Sequence, residues 1–224
     1  MKKYLLVFVV FVSFGLSAQT VLMEEKVDSV YEKSSFGVNS THYFHMYWTF
    51  GFVFGTEQVT KFGNTNSWSM GFRYKYRLTN HFATGLELET RFQNINFPTH
   101  GNVEKDKYMV GNFKYAWYFR TNFGMRGNVM GKFIDIGVYG SNNFFTSTYV
   151  EIEDDFDDYE IYTYTNQKLK YLESFNYGVL ARAGWNQFVL FSEYRLSDIF
   201  KPNITGDYRD IPRWTVGLQI GLHR

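Results

Sequence analysis

The residues best able to do chemistry in this chain are ionisable, and they fall into two sets. The first is Arg73, Lys75, Glu87, Glu89, Arg91, Lys114, Asp135, Arg182, Glu193 and Arg195, each on the polar side of a stretch that alternates with large apolar residues. Both signs recur along the set. If the stretches lie side by side, these charges form a ladder of ion pairs in an enclosed space, where unpaired charge is costly. The second set is an acidic tract: Glu151, Glu153, Asp154, Asp155, Asp157, Asp158 and Glu160. Clustered carboxylates suit a divalent cation or a partner protein. The sixth-position glycine of an EF-hand loop is missing, so the plainest reading is a solvated loop with the capacity to bind.

Covalent and cofactor chemistry find little support. There is no phosphate-binding loop, dinucleotide fingerprint or thiolate cluster, and the chain has no cysteine. His42, His45, His81 and His223 fall towards one rim of the architecture derived below, and His100 lies in a connecting segment with no Ser–acid pair beside it. No enzyme, metal or cofactor is expected. The net charge of +1 gives no reason to expect a nucleic-acid partner.

The elements that must position the first set are strands. Phe44, Met46, Trp48, Phe50, Phe52 and Phe54 alternate with His45, Tyr47, Thr49 and Gly51. Trp68, Met70, Phe72, Tyr74, Tyr76 and Leu78 alternate with Ser67, Ser69, Gly71, Arg73, Lys75 and Arg77. Phe82, Leu86, Leu88 and Phe92 face away from Ala83, Gly85, Glu87, Glu89 and Arg91. Successive side chains on a strand point to opposite faces, so each run has an oily and a polar side. Five further runs follow, around 109–119, 134–138, 175–182, 187–196 and 213–222. That makes eight runs of about 11–14 residues, long enough to cross a membrane when tilted.

Connections alternate in length. They are long at 56–65, 94–105, 143–170 and 197–210, and short at 79–81, 120–128 and 183–186. Bacterial outer-membrane barrels keep short turns inside and long loops outside. Residues 143–150 and 161–172 are themselves β-rich, and read as a hairpin extending the fifth and sixth strands.

Residues 1–18 read as a signal peptide, with Lys2 and Lys3 before an apolar stretch from Tyr4 to Leu16 and cleavage before Gln19. Residues 19–42 form an N-terminal periplasmic segment, whose part from Met23 to Lys33 reads equally as a short helix, a lumen plug or an unordered stretch. The barrel proper is 43–224.

The oily side must face out. An eight-stranded barrel is just wide enough for its own side chains, and an aromatic content of 21% could not be packed within it. A soluble barrel with an apolar interior is the alternative. Gly71, Gly85, Gly137, Gly178, Gly217 and Gly221 lie on the polar side, as a crowded lumen needs. Trp48, Trp68, Trp117, Trp185 and Trp214 lie on or beside strands, as interfacial aromatics do. Register then follows from parity. A turn Thr79-Asn80-His81 sets Arg73 opposite Glu87, whereas a five-residue turn sets Lys75 opposite Glu87 and Arg73 opposite Glu89.

The stretch Tyr194-Arg195-Leu196-Ser197-Asp198-Ile199-Phe200-Lys201, followed by Trp214-Thr215-Val216-Gly217-Leu218, resembles the PorT-like outer-membrane β-barrel domain proteins of Bacteroidota. The signal ending Ser17-Ala18-Gln19 resembles that group's as well. Only 194–201 matches residue by residue. The chain ends Leu222-His223-Arg224 instead of in the aromatic residue many barrels present to the assembly machinery, so its assembly signal is internal or atypical. The resemblance implies an outer-membrane address and, for some members, service in secretion. It implies no catalytic residues.

The sequence therefore leads to an all-β, antiparallel up-and-down transmembrane β-barrel of about eight strands in the cell outer membrane. The expected role is a non-enzymatic structural or interaction platform, accessory to a secretion or envelope complex. Outer-membrane lipid and an envelope protein are the expected partners. A narrow channel for small solutes and a lipid-modifying enzyme are the alternatives.

Overall fold

The computed structural model describes residues 36–54, 65–96, 103–124, 131–153, 159–166, 173–199, 201 and 212–222. The expected signal peptide, residues 19–35 and Asp154, Asp155, Asp157 and Asp158 lie outside the described residues.

The described elements are all strands: β1 (His42–Phe54), β2 (Asn66–Arg77), β3 (Phe82–Asn96), β4 (Val103–Phe123), β5 (Lys132–Glu153), β6 (Tyr159–Asn166), β7 (Phe175–Trp185), β8 (Phe188–Arg195) and β9 (Trp214–Leu222). Eight of them close into an antiparallel up-and-down barrel in the order β1-β2-β3-β4-β5-β7-β8-β9, with β9 returning to β1. The ninth, β6, stands outside the ring and pairs with Thr146–Glu153 at the far end of β5. The hairpin expected around 143–172 thus forms, but its second arm is a separate strand and not an extension of β7.

Two strands are longer than their alternation suggested. β4 has 21 residues and β5 has 22, and they pair from Phe123↔Lys132 to Val103↔Ile152. A register shift beside Gly111/Asn112 leaves Phe144 as an extra residue on β5. Its ring packs outside against Phe113 at 4.6 Å and Phe92 at 5.8 Å. The shift breaks the period-two pattern, which is why the upper half of β5 does not read as a clean strand.

The turn between β2 and β3 takes the three-residue form. Leu78 N donates to Phe82 O at 2.9 Å, and Thr79 Oγ1 accepts from Phe82 N at 3.0 Å and His81 N at 3.2 Å. Arg73 therefore stands opposite Glu87 and Lys75 opposite Gly85. The β7–β8 turn is tighter still, with Asn186 carrying the left-handed φ of 55° that asparagine tolerates.

Away from the bulge the strands alternate, most cleanly in β7, where every second residue is buried. The buried side of the ring is the lumen, and it holds the charges; the apolar rings are outside. All five tryptophans are exposed, as are Phe44, Phe50, Phe72, Leu86, Leu88 and Ile136. An apolar interior is thereby excluded.

The lumen also takes rings, each set over a glycine directly across the sheet. Tyr47 lies over Gly71, Tyr118 over Gly85, Phe133 over Gly184, Tyr139 over Gly178 and Phe191 over Gly217. A Cβ on Gly71 would come within 2.6 Å of the Tyr47 hydroxyl, so only a residue without one admits the ring.

Candidate functional site

The strand register brings most of the first charge set into one buried network. Arg73 donates to Glu87 from Nε at 3.0 Å and from Nη2 at 2.8 Å, and Nη2 also reaches Gln219 Oε1 at 2.8 Å. Arg182, from β7, gives Glu87 a further hydrogen bond at 2.7 Å. Arg91 donates from Nε to Glu89 at 2.8 Å, and from Nη1 and Nη2 to the two Glu193 oxygens at 2.6 and 3.0 Å. Lys114 Nζ joins the groups, 2.6 Å from Glu193, 3.0 Å from Glu89 and 3.4 Å from Glu87. Tyr47 donates its hydroxyl to Glu89 at 3.0 Å. All these side chains are buried. Charge-assisted, partly bidentate pairing is what makes such burial tolerable.

A second pair lies nearer the short-turn end. Arg120 grips Asp135 through Nε at 2.7 Å and Nη2 at 2.8 Å, and its guanidinium lies 3.6 Å over the Phe133 ring. Arg182 Nη1, 3.7 Å from Asp135, links this pair to the larger network.

Two expected members lie elsewhere. Lys75 does not join the ladder: the three-residue turn puts it opposite Gly85, and its Nζ donates to the Val38 carbonyl. Arg195, the last residue of β8, is half-buried on the wall of a cavity at the long-loop end, a wall it shares with Arg91. One member was missed, Arg120. The parity that sets Lys114 inward continues through Ala116 and Tyr118 to Arg120, but Thr121 interrupts the outward apolar stripe between Phe119 and Phe123, so the sequence reads the strand as ending at Phe119.

At the short-turn end, residues just before β1 lie against the barrel mouth. Residues 36–41 fold back on β1, Gly37 N donating to His42 O at 2.9 Å. Lys75 holds the Val38 carbonyl, and Arg77 Nη1 holds that of Asn39 at 2.5 Å. Val38 is buried with Tyr43, Phe133 and Val189. Met23 to Lys33, the part read as a short helix, a lumen plug or an unordered stretch, lies outside the described residues, whereas residues 36–41 sit at the barrel mouth. His45 is buried beside it, stacked on Tyr43 at 5.0 Å.

The network spans the bore. In the eight-strand ring, β3 and β8 lie four places apart, which is diametrically opposite, and the Arg91–Glu193 pair joins them. Above it lies a cavity of about 50 Å³, walled by residues including Arg91, Asn112, Tyr139, Arg195 and Thr215. That is room for a few water molecules.

Of the acidic tract, Glu151 and Glu153 lie on β5 and Glu160 on β6, in the paired part of the hairpin. No group of metal-ligating side chains occurs among the described residues. No protein-family model matches the chain, and no curated protein is similar to it.

Proposed function

We propose that this chain is an integral outer-membrane barrel that acts as a non-enzymatic interaction platform, its long-loop end presenting a surface to an envelope partner. The observation that carries this reading is the inverted distribution of polarity. Rings and aliphatic side chains cover the outside of all eight strands, while the buried side holds ion pairs. An exposed apolar surface of that extent belongs against lipid. A closed barrel satisfies every ladder hydrogen bond internally, as hydrocarbon demands.

Two outward indoles point the same way. Trp117 Nε1 donates to Thr84 Oγ1 at 2.9 Å, and Trp214 Nε1 to Ser192 Oγ at 2.7 Å. Surface indoles in water need no protein acceptor, whereas those in a bilayer do. The crossing ion pairs and the 50 Å³ cavity count against a channel. A platform needs a rigid anchor and a presenting end, and both are present: the lumen is tied across its diameter, and the β5–β6 hairpin stands beyond the closed ring. A role beside a secretion or envelope complex is the one the PorT-like resemblance implies.

The test is a native pull-down of the tagged chain from detergent-solubilised outer membrane, with partners identified by mass spectrometry. A stoichiometric partner is the expected result. A chain recovered alone, or recovered from the soluble fraction, overturns the reading.

A further inference from the structure

We propose that β6 is a docking edge to which an extended, positively charged segment of a partner protein adds as a further strand. The proposal deepens the platform reading and rests on it.

Barrel closure leaves eight strands with neighbours on both sides, whereas β6 ends the strand order and, among the described residues, pairs with β5 alone. Alternate N–H and C=O groups along its eight residues therefore face away from β5. Proteins normally blunt such an edge with lysine, proline or a bulge. Tyr159-Glu160-Ile161-Tyr162-Thr163-Tyr164-Thr165-Asn166 contains neither lysine nor proline, and its register with β5 is unbroken from Thr146↔Asn166 to Glu153↔Tyr159. The stretch is rich in aromatic and β-branched residues, which favour the extended state. It is a template for strand addition, where main-chain hydrogen bonds supply affinity and charge supplies selection.

Charge selects the occupant. Residues 146–166 carry the seven acids of the tract and no lysine or arginine. Glu160 lies on β6, with Glu151 and Glu153 on the paired part of β5; a second copy would bring the same acids to the edge, and like charges across a strand pair repel. A segment rich in lysine or arginine is instead drawn in and held in register.

The test uses the full chain folded in detergent micelles and two fluorescein-labelled peptides, one alternating lysine with valine and threonine, the other the same with glutamate for lysine. Binding is read by fluorescence anisotropy. Proline is then placed separately at Thr163 and at Tyr164. Backbone donors alternate between the two edges of a strand, so one variant removes an N–H from the free edge and the other from the pairing with β5. Retained heat-modifiable migration shows that each barrel is folded. The lysine peptide is expected to bind in preference to the glutamate peptide, with at least one variant weakening it by about tenfold, the worth of a lost backbone hydrogen bond. Equal binding of both peptides, no binding of either, or lysine-peptide binding that survives both prolines overturns the proposal. Dimers in light scattering that either proline abolishes overturn it in favour of a second copy. A lone barrel in the pull-down sinks the platform reading itself, whatever the peptides do.

Discussion

Arg91 and Glu193 meet across the full width of the barrel, the guanidinium of β3 giving two hydrogen bonds of 2.6 and 3.0 Å to the carboxylate of β8. Each has a reserve partner: Glu89 lies 2.8 Å from Arg91, and Lys114 2.6 Å from Glu193. Removing one member of a buried pair leaves an uncompensated charge, whereas removing both leaves apolar surface. Arg91→Met is expected to destabilise the barrel by about 3 kcal/mol, near the low end of the range for broken buried pairs because Lys114 remains. The double variant R91M/E193M is expected to lose less than the sum of the single losses. Urea unfolding in lipid vesicles, run as a double-mutant cycle, measures this; additivity would show that the pair is not coupled.

Glu87 is the most heavily shared carboxylate, touched by Arg73, Arg182 and Lys114. Reversing its sign with Glu87→Arg sets four cations together with no added anion. The unfolding temperature is expected to fall further than for Glu89→Arg, since Glu89 serves only two cations, Arg91 and Lys114. Comparing heat-modifiable gel migration of the two variants across a temperature series decides it.

The same pairs govern the bore. The native barrel is expected to show no sustained conductance in planar bilayers, and the variant R91A/K114A/E193A to pass small ions, because the three side chains that meet at mid-lumen are then gone. A wild-type barrel conducting as well as this variant would show that these pairs are no barrier, and equal silence of both would move the barrier to the mouth where Val38 is buried.

Much of this site was legible from parity alone. Once Arg73 and Glu87 share a face, the turn must hold an odd number of residues, and Thr79 supplies the caps that choose three over five. What parity could not supply is reach across the lumen. Arg182 on β7 meets Glu87 on β3 because long side chains span the bore, a contact set by barrel closure and not by adjacency. Lys75 left the ladder because a carbonyl from residues 36–41 lies nearer, and that segment has no strand periodicity to announce it. The hairpin above was legible as two β-rich stretches, but not β6 as a strand separate from β7, because the bulge at Phe144 shifts the phase of β5 before the hairpin begins.

Ring-over-glycine packing gives a sharper test of lumen crowding. Any Cβ on Gly184 would fall within the Phe133 ring, and that ring is pinned by the Arg120 guanidinium at 3.6 Å. Gly184→Ala is therefore expected to cost about 1–3 kcal/mol, the usual penalty of overpacking. Phe133→Ala alone leaves a cavity, costing about 3–5 kcal/mol. In the double variant the new methyl group sits in the vacated space, so the combined loss is expected to fall below the sum by 1 kcal/mol or more, as for other directly contacting pairs. Equilibrium unfolding of the four species reads the coupling directly.

The final prediction concerns what surrounds the barrel. Thr84 and Ser192 face outward from β3 and β8, where each accepts the indole N–H of a neighbouring strand. In water, Thr84→Val or Ser192→Ala would leave Trp117 or Trp214 free to bond solvent, and stability would barely move. Against hydrocarbon no substitute exists, and each lost bond is expected to cost about 0.6–1 kcal/mol, the measured scale for side-chain hydrogen bonds within membranes. Thr84 also donates to the Tyr118 carbonyl at 3.0 Å, so Thr84→Val should be the costlier of the two. Unfolding in vesicles of native and variant chains measures the loss, and indole fluorescence against brominated lipids places the two tryptophans. Losses in both variants together with quenching support immersion in the bilayer. Neutral substitutions with unquenched fluorescence would mean that this apolar exterior is covered by something other than lipid.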